Sequence, residues 1–173
     1  MESSVTLGYV ARSGEEQQIA WIAGSVHHIT LDAAATEGRL TAIRSTMRAG
    51  TASPVHVHEH EDETVFVLSG SGVFWAGDQR WELTSGDTAF LPRGLPHTYL
   101  FTSDTAELLT VCNPAGMEEF FRQAGWDLAD PMPEDWAVDL KSLGKIGEAA
   151  GQFVLGPPLR PEEKMPSRYL QRP

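Results

Sequence analysis

His56 and His58 stand two residues apart, and Glu63 follows in the same stretch, GTASPVHVHEHEDETVFVLSG, which runs from Gly50 to Gly70. Residues i and i+2 of a strand project from one face, so a single strand can aim both imidazoles at one point. Glu63 lies an odd number of residues beyond His58. A turn or bulge must therefore fall within EHEDE if the carboxylate is to reach the same point. A second block, GDTAFLPRGLPH, ends in His97 after a proline–glycine turn of the kind that starts a new strand. Three imidazoles and one carboxylate suit a first-row divalent metal, and four ligands leave coordination positions open. An ion held there would act as a Lewis acid, lowering the pKa of a bound hydroxyl or enol. Glu63 then has two readings of equal weight, a plain ligand or a ligand that also takes the substrate's proton.

The elements that must position these side chains read as short strands. Leu40 to Arg48 alternates, with Ile43 and Met47 on one face, and leads into the turn at Gly50. Met47 either lines a cavity or fills the core. After Glu63, Val65 and Val67 share its face; after His97, Tyr99 and Phe101 share that of the imidazole. The hairpin around Gly77-Asp78 supplies Phe74 or Trp75. Met47, Val65, Phe74, Tyr99 and Phe101 are thus the candidate substrate contacts. Their character suits a flat or aromatic ligand better than a sugar or phosphate. The Tyr99 phenol could donate a hydrogen bond to a bound anion or simply pack.

Upstream, Val5, Leu7, Tyr9 and Val10 suggest an edge strand, and Gln18 to Leu31 reads as strand, turn and strand around Gly24. The adjacent His27 and His28 must face opposite sides of a strand, which predicts a surface or half-buried pair and no metal role. His60 reads as a rim or supporting residue. Through residue 112 no helical period appears, which predicts an all-β barrel or sandwich.

Beyond it, Asn113-Pro114 reads as a helix N-cap and first helical residue, with Met117, Phe120, Phe121 and Ala124 on one helical face and Gly125 as its stop. That face is expected to cover the open end of the barrel. Leu140, Leu143, Gly147 and Ala150 mark a second helix after Asp139, and FVLGPP a short extended segment.

Composition narrows the partners. With 13 basic and 24 acidic residues the formal charge is −11, which repels phosphate backbones and anionic membranes. The single cysteine, Cys112, excludes an internal disulfide. The N-terminus reads without a signal peptide, and no apolar run has membrane-spanning length, so a cytoplasmic location is expected.

Both blocks complete a known pattern. Gly50, His56, His58, Glu63 and Gly70 fill every fixed position of the first cupin motif, and Gly86, Pro92, Gly94 and His97 those of the second. Phe101 replaces the pattern's closing Asn, which is not a ligand. The chain therefore resembles the cupins. With HVHEHEDE, NPAGMEEFF and FVLGPP it is similar, over roughly residues 35 to 160, to the small bacterial quercetin 2,3-dioxygenases. The resemblance implies a double-stranded β-helix (jelly-roll barrel) with short C-terminal helices covering it. One cupin domain would span 1–173, with a metal-binding core at about 40–112, helices at about 113–159 and a loose tail at 160–173. It implies one divalent transition metal (nickel, cobalt, manganese or iron, with zinc admissible as purified), a flavonol and dioxygen as reactants, release of carbon monoxide, and a homodimer. Cupins also serve as non-catalytic metal-anchored binders and as isomerases or cyclases, so the fold alone leaves those alternatives open.

Overall fold

The computed structural model describes residues 8–171. Its strands are β1 (Gln17–Ala20), β2 (Val26–Leu31), β3 (Thr41–Arg48), β4 (Val55–His58), β5 (Asp62–Ser69), β6 (Ser71–Ala76), β7 (Gln79–Thr84), β8 (Thr88–Leu91), β9 (His97–Phe101), β10 (Thr105–Asn113), β11 (Trp126–Asp127) and β12 (Gln152–Gly156). Helices are α1 (Ala33–Thr36), α2 (Met117–Ala124), α3 (Leu140–Ala149) and α4 (Ser167–Leu170).

The strands form two antiparallel sheets, ordered β11-β1-β2-β3-β10-β5-β8 and β12-β4-β9-β6-β7. Chain neighbours repeatedly fall in different sheets, the mark of a jelly roll. This is the cupin architecture. Period-2 patterning sets the inner faces: on β5, Glu63, Val65 and Val67 are buried while Phe66 and Leu68 are exposed. Met47, Val65, Val67, Phe74, Phe101 and Leu108 pack into one core between the sheets. The hairpin at Gly77-Asp78 forms as its sequence predicts, with Ala76 paired to Gln79 and Gly77 at φ 57°. At Gly70, φ is 81° and an added Cβ would sit 2.5 Å from the Thr105 carbonyl oxygen, so both conformation and close approach require glycine.

Helix α2 starts later than its sequence suggests. Asn113 ends β10 instead of capping the helix, and Gly116 takes the N-cap position. The fully buried Glu118 carboxylate does the capping work instead, accepting from Gly116 N (3.0 Å), Ala33 N (2.8 Å) and the Thr41 hydroxyl. It thereby ties α2 to α1 and β3. Helix α3 begins where expected, with Asp139 accepting from Lys141 N at 3.0 Å.

Two expectations fail at the ends. Tyr9 and Val10 lie outside any strand and are exposed, while Val5 and Leu7 fall outside the described residues. Residues 160–171, read from sequence as loose, dock on the outer face of the five-stranded sheet. Leu159 and Met165 are buried there with Val55, Val73 and Trp75, and the Trp75 indole donates to the Glu163 carbonyl at 2.9 Å. Proline and charge suggest disorder, but Met165 and Tyr169 supply an apolar face that sequence alone does not connect to Trp75.

Candidate metal centre

Strand β4 presents His56 and His58 on its inner face, and its neighbour β9 places His97 directly opposite His56. After His58 the chain leaves the five-stranded sheet, turns through Glu59–Glu61 and enters β5 in the other sheet. That crossing supplies the change of parity the spacing demands, and Glu63 comes to face the histidines. One ligand atom from each of His56, His58, Glu63 and His97 lies within 4.8 Å of all the others. The imidazole rings stand 4.3 to 5.0 Å apart.

The donor set fits a cation. His56 Nδ1 lies 2.8 Å from the Pro54 carbonyl and His97 Nδ1 2.9 Å from that of Leu95. A carbonyl only accepts, so each Nδ1 carries the proton and each Nε2 is left as a bare lone pair. His97 Nε2 is buried without a hydrogen-bond partner and sits 3.3 Å from Glu63 Oε2. Burial pushes the His56 imidazole well below its usual range, with His97 adding to it, and brings His58 down to about 4. Burial alone would raise Glu63, but the surrounding imidazoles overcome it and hold the carboxyl at about 2. At neutral pH the neutral imidazoles of His56 and His58 thus face an ionised carboxylate, the state in which such groups bind a metal.

Behind the cluster stands Glu61, a residue that motif reading passes over. It is 5% exposed, its Oε1 lies 3.6 Å from His58 Nδ1, and burial raises its pKa. A carboxylate beside a ligand imidazole orients the ring and raises its basicity. His60 is exposed beside Gly151 and stays out of the cluster.

A cavity of about 110 Å³ opens onto His56, His58 and Glu63, walled by Trp21, Tyr99, Phe120 and Phe121. A smaller inner chamber of about 40 Å³ lies against Glu63, Tyr99, Met47, Val65 and Phe74. Four of the five predicted contacts therefore do line the interior. Phe101 does not. It is 1% exposed and packs behind Tyr99 and Phe74, with ring centroids 5.2 and 5.8 Å away. Trp21, Phe120 and Phe121 stand in the cavity wall instead. The helical stripe predicted the burial of the phenylalanines, but only the docking of α2 turns them toward the cavity that the His/Glu cluster faces. Tyr99 stays a phenol, since burial and then the Glu63 charge push its pKa up.

Comparison with known proteins agrees with this geometry. Residues 43–112 match the cupin domain family. KdgF from Halomonas sp. superposes with a TM-score of 0.57 over 62% of this chain and 94% of its own, at 18% identity, which speaks to the fold. The chain thus carries a cupin domain at residues 43–112. Within the cupins it resembles quercetin 2,3-dioxygenase. The Bacillus subtilis (strain 168) enzyme of that name is 27% identical over 144 residues, 82% of this chain and 42% of that one. The Aspergillus japonicus enzyme is 30% identical over 80 residues, 43% of this chain and 23% of that one. The chain thus spans under half the length of either dioxygenase. No helix of the described residues is long and apolar enough to cross a membrane.

Proposed function

We propose that His56, His58, Glu63 and His97 hold one divalent transition metal, and that the site opens a flavonol or related aromatic enol with dioxygen. One observation carries the reading: the ligand cluster faces a cavity walled in part by four aromatic side chains, in which the ligand carboxylate is the only acidic or basic side chain besides the histidines among the described lining residues. Trp21, Phe120, Phe121 and Tyr99 offer flat faces to a flat ligand and exclude water from it. A phosphorylated or sugar ligand would find no Lys or Arg among the described residues lining the cavity, and Arg44 of β3 pairs instead with Glu107 (3.0 Å) and Glu16 (3.3 Å).

A divalent ion supplies Lewis acidity, which lets an enol or phenol oxygen persist as its anion near pH 7. The chain's own groups do the rest. Glu63, ionised at neutral pH, accepts the proton the enol gives up. Its low pKa makes it a weak base, so that transfer depends on the enol first being acidified. Tyr99 keeps its hydrogen and can donate to the developing anion. The names of the curated relatives agree with this chemistry.

The test is quercetin turnover by protein loaded in turn with nickel, cobalt, manganese and iron, following flavonol absorbance and oxygen uptake together. Metal-dependent loss of both is expected. Glu63→Gln keeps the three imidazole donors and should retain measurable metal while turnover is abolished; undiminished turnover would remove Glu63 as the base. Quercetin bound but never consumed would sink the dioxygenase reading in favour of a metal-anchored binder.

A further inference from the structure

Among the polar groups that line the inner chamber, the proposed chemistry leaves one buried imidazole idle. His27 lies on the inner face of β2, 2% exposed, opposite Ser45 of β3. Its Nδ1 is 2.7 Å from Ser45 Oγ, and its Nε2 is buried with no hydrogen-bond partner. The ring is fixed edge-on to Trp21, with centroids 5.6 Å apart, and tilted against Phe121 at 4.1 Å. Those two aromatics also wall the outer cavity, and Glu63, Tyr99, Met117 and Phe121 line both spaces. A buried, unpaired imidazole nitrogen is uncommon because its desolvation goes uncompensated, so each one calls for a partner.

We propose that His27 is a ligand-recognition residue, whose Nε2 hydrogen-bonds a hydroxyl or carbonyl on the part of the substrate remote from the metal. This rests on the aromatic-enol reading above and specifies which such molecules the site selects. The chemistry is narrow. Burial, with a smaller contribution from His28, brings His27 down to about 3, so the ring is neutral at working pH and offers no charge to an anion. Ser45 can either donate to Nδ1 or accept from it, and Nε2 is correspondingly a donor or an acceptor. A hydroxyl satisfies either tautomer; a carbonyl requires the first. The chamber's 40 Å³ is room for roughly three water-sized groups, enough for a substituent but too little for a second ring. A ligand whose enol meets the metal cluster would therefore place one oxygen-bearing position past Phe121 and Tyr99, against His27. The remaining chamber walls, Met47, Val65, Phe74 and Leu108 among them, are apolar apart from Ser45 and Thr110. Selectivity then falls to His27, to Thr110 and to the two polar groups shared with the outer cavity, Glu63 and Tyr99.

The experiment measures dissociation constants in zinc-loaded protein under nitrogen by quenching of tryptophan fluorescence. The probes are 3-hydroxyflavone and its derivatives carrying one further hydroxyl at position 5, 7 or 4′. Parent protein should bind one derivative about 10-fold more tightly than 3-hydroxyflavone, the scale of one buried hydrogen bond. His27→Phe keeps a ring between Trp21 and Phe121. It should erase that preference while leaving 3-hydroxyflavone within about 2-fold. Ser45→Ala, which removes the tautomer's partner but no ring, should reduce the same preference by about 3-fold and serves if the first variant does not fold. Equal weakening of all four probes, or no preference in the parent protein, would overturn the role of His27 while leaving the flavonol site standing. If no probe binds the parent protein, the flavonol reading itself fails and takes this one with it.

Discussion

Gly125 sits where α2 ends against β1, and a single methyl there should loosen the helix that walls the cavity. Its backbone, at φ −94°, is open to any residue, so the effect of Gly125→Ala comes from packing alone. The new Cβ would stand 2.2 Å from Ile19 Cγ2, 2.8 Å from the Ala20 carbonyl oxygen and 2.9 Å from that of Phe121. Carbon contacts settle at roughly 3.5–4.0 Å, so more than about 1 Å must open on the Ile19 side. Ile19 has little room to yield. It is 1% exposed and held between Asp127 of β11 and His27 of β2. Overpacking of this kind costs about 1–3 kcal/mol, and two of the three contacts are backbone, which favours the upper half. Against that, replacing glycine stiffens the unfolded chain by about 0.4–1 kcal/mol. The net is about 2 kcal/mol of destabilisation, or roughly 4–8 °C in Tm for a chain of this size. Gly144→Ala is the matched control: it lies inside α3 with nothing within 4 Å of the added Cβ. There the same methyl should stabilise, by about 0.5–1 kcal/mol. Thermal unfolding followed by circular dichroism reads both. A Gly125→Ala protein that melts within 1 °C of the parent, or above it, would refute the packing of α2 on β1 and with it the placement of Phe120 and Phe121.

Two further outcomes are expected. With His27 at about 3 when folded against 6.5 when unfolded, the unfolded chain binds the extra proton between those values, so stability is lost as pH falls. From pH 7 to 5 this amounts to about 2 kcal/mol. Metal-free parent protein should therefore lose about 4–8 °C more than metal-free His27→Phe over that range, and identical losses would contradict the burial of the neutral ring. His56 and His58 act in the same direction in both proteins. On the opposite side of the molecule, Met165→Ala should cost about 2–4 kcal/mol by opening a gap over Trp75; a change under 1 kcal/mol in urea unfolding would show that the tail does not dock.

Much of the centre was legible before any fold was known, because strand parity is a local property. The spacing of His56 and His58 puts them on one face wherever the strand lies, and the odd interval to Glu63 demands the break that the structure makes in passing from β4 to β5. The hairpin at Gly77, the stripe on α2 and the Asp139 cap are local in the same sense. Other assignments depended on long-range packing. Alternation correctly sends His27 and His28 to opposite faces, but it cannot say that one face is the interior, so a fully buried imidazole reads like a surface pair. Phe101 shares the face of His97 and Tyr99, yet sits too far along β9 to reach the cavity. Asn113-Pro114 has the chemistry of a helix start, but pairing with β3 and β5 extends β10 almost through it, and a carboxylate from within α2 does the capping.

The sequence by itself therefore determined the four ligand types, their shared direction and the β class, since these follow from residue chemistry and a two-residue period. Only the tertiary structure decided what surrounds them. It placed β4 beside β9 and β12, docked α2 across the cavity, turned His27 inward and laid the tail on Trp75. Those choices join residues far apart in the chain, 88 positions in the case of Trp75 and Glu163, and no local period carries the pairing of such distant faces.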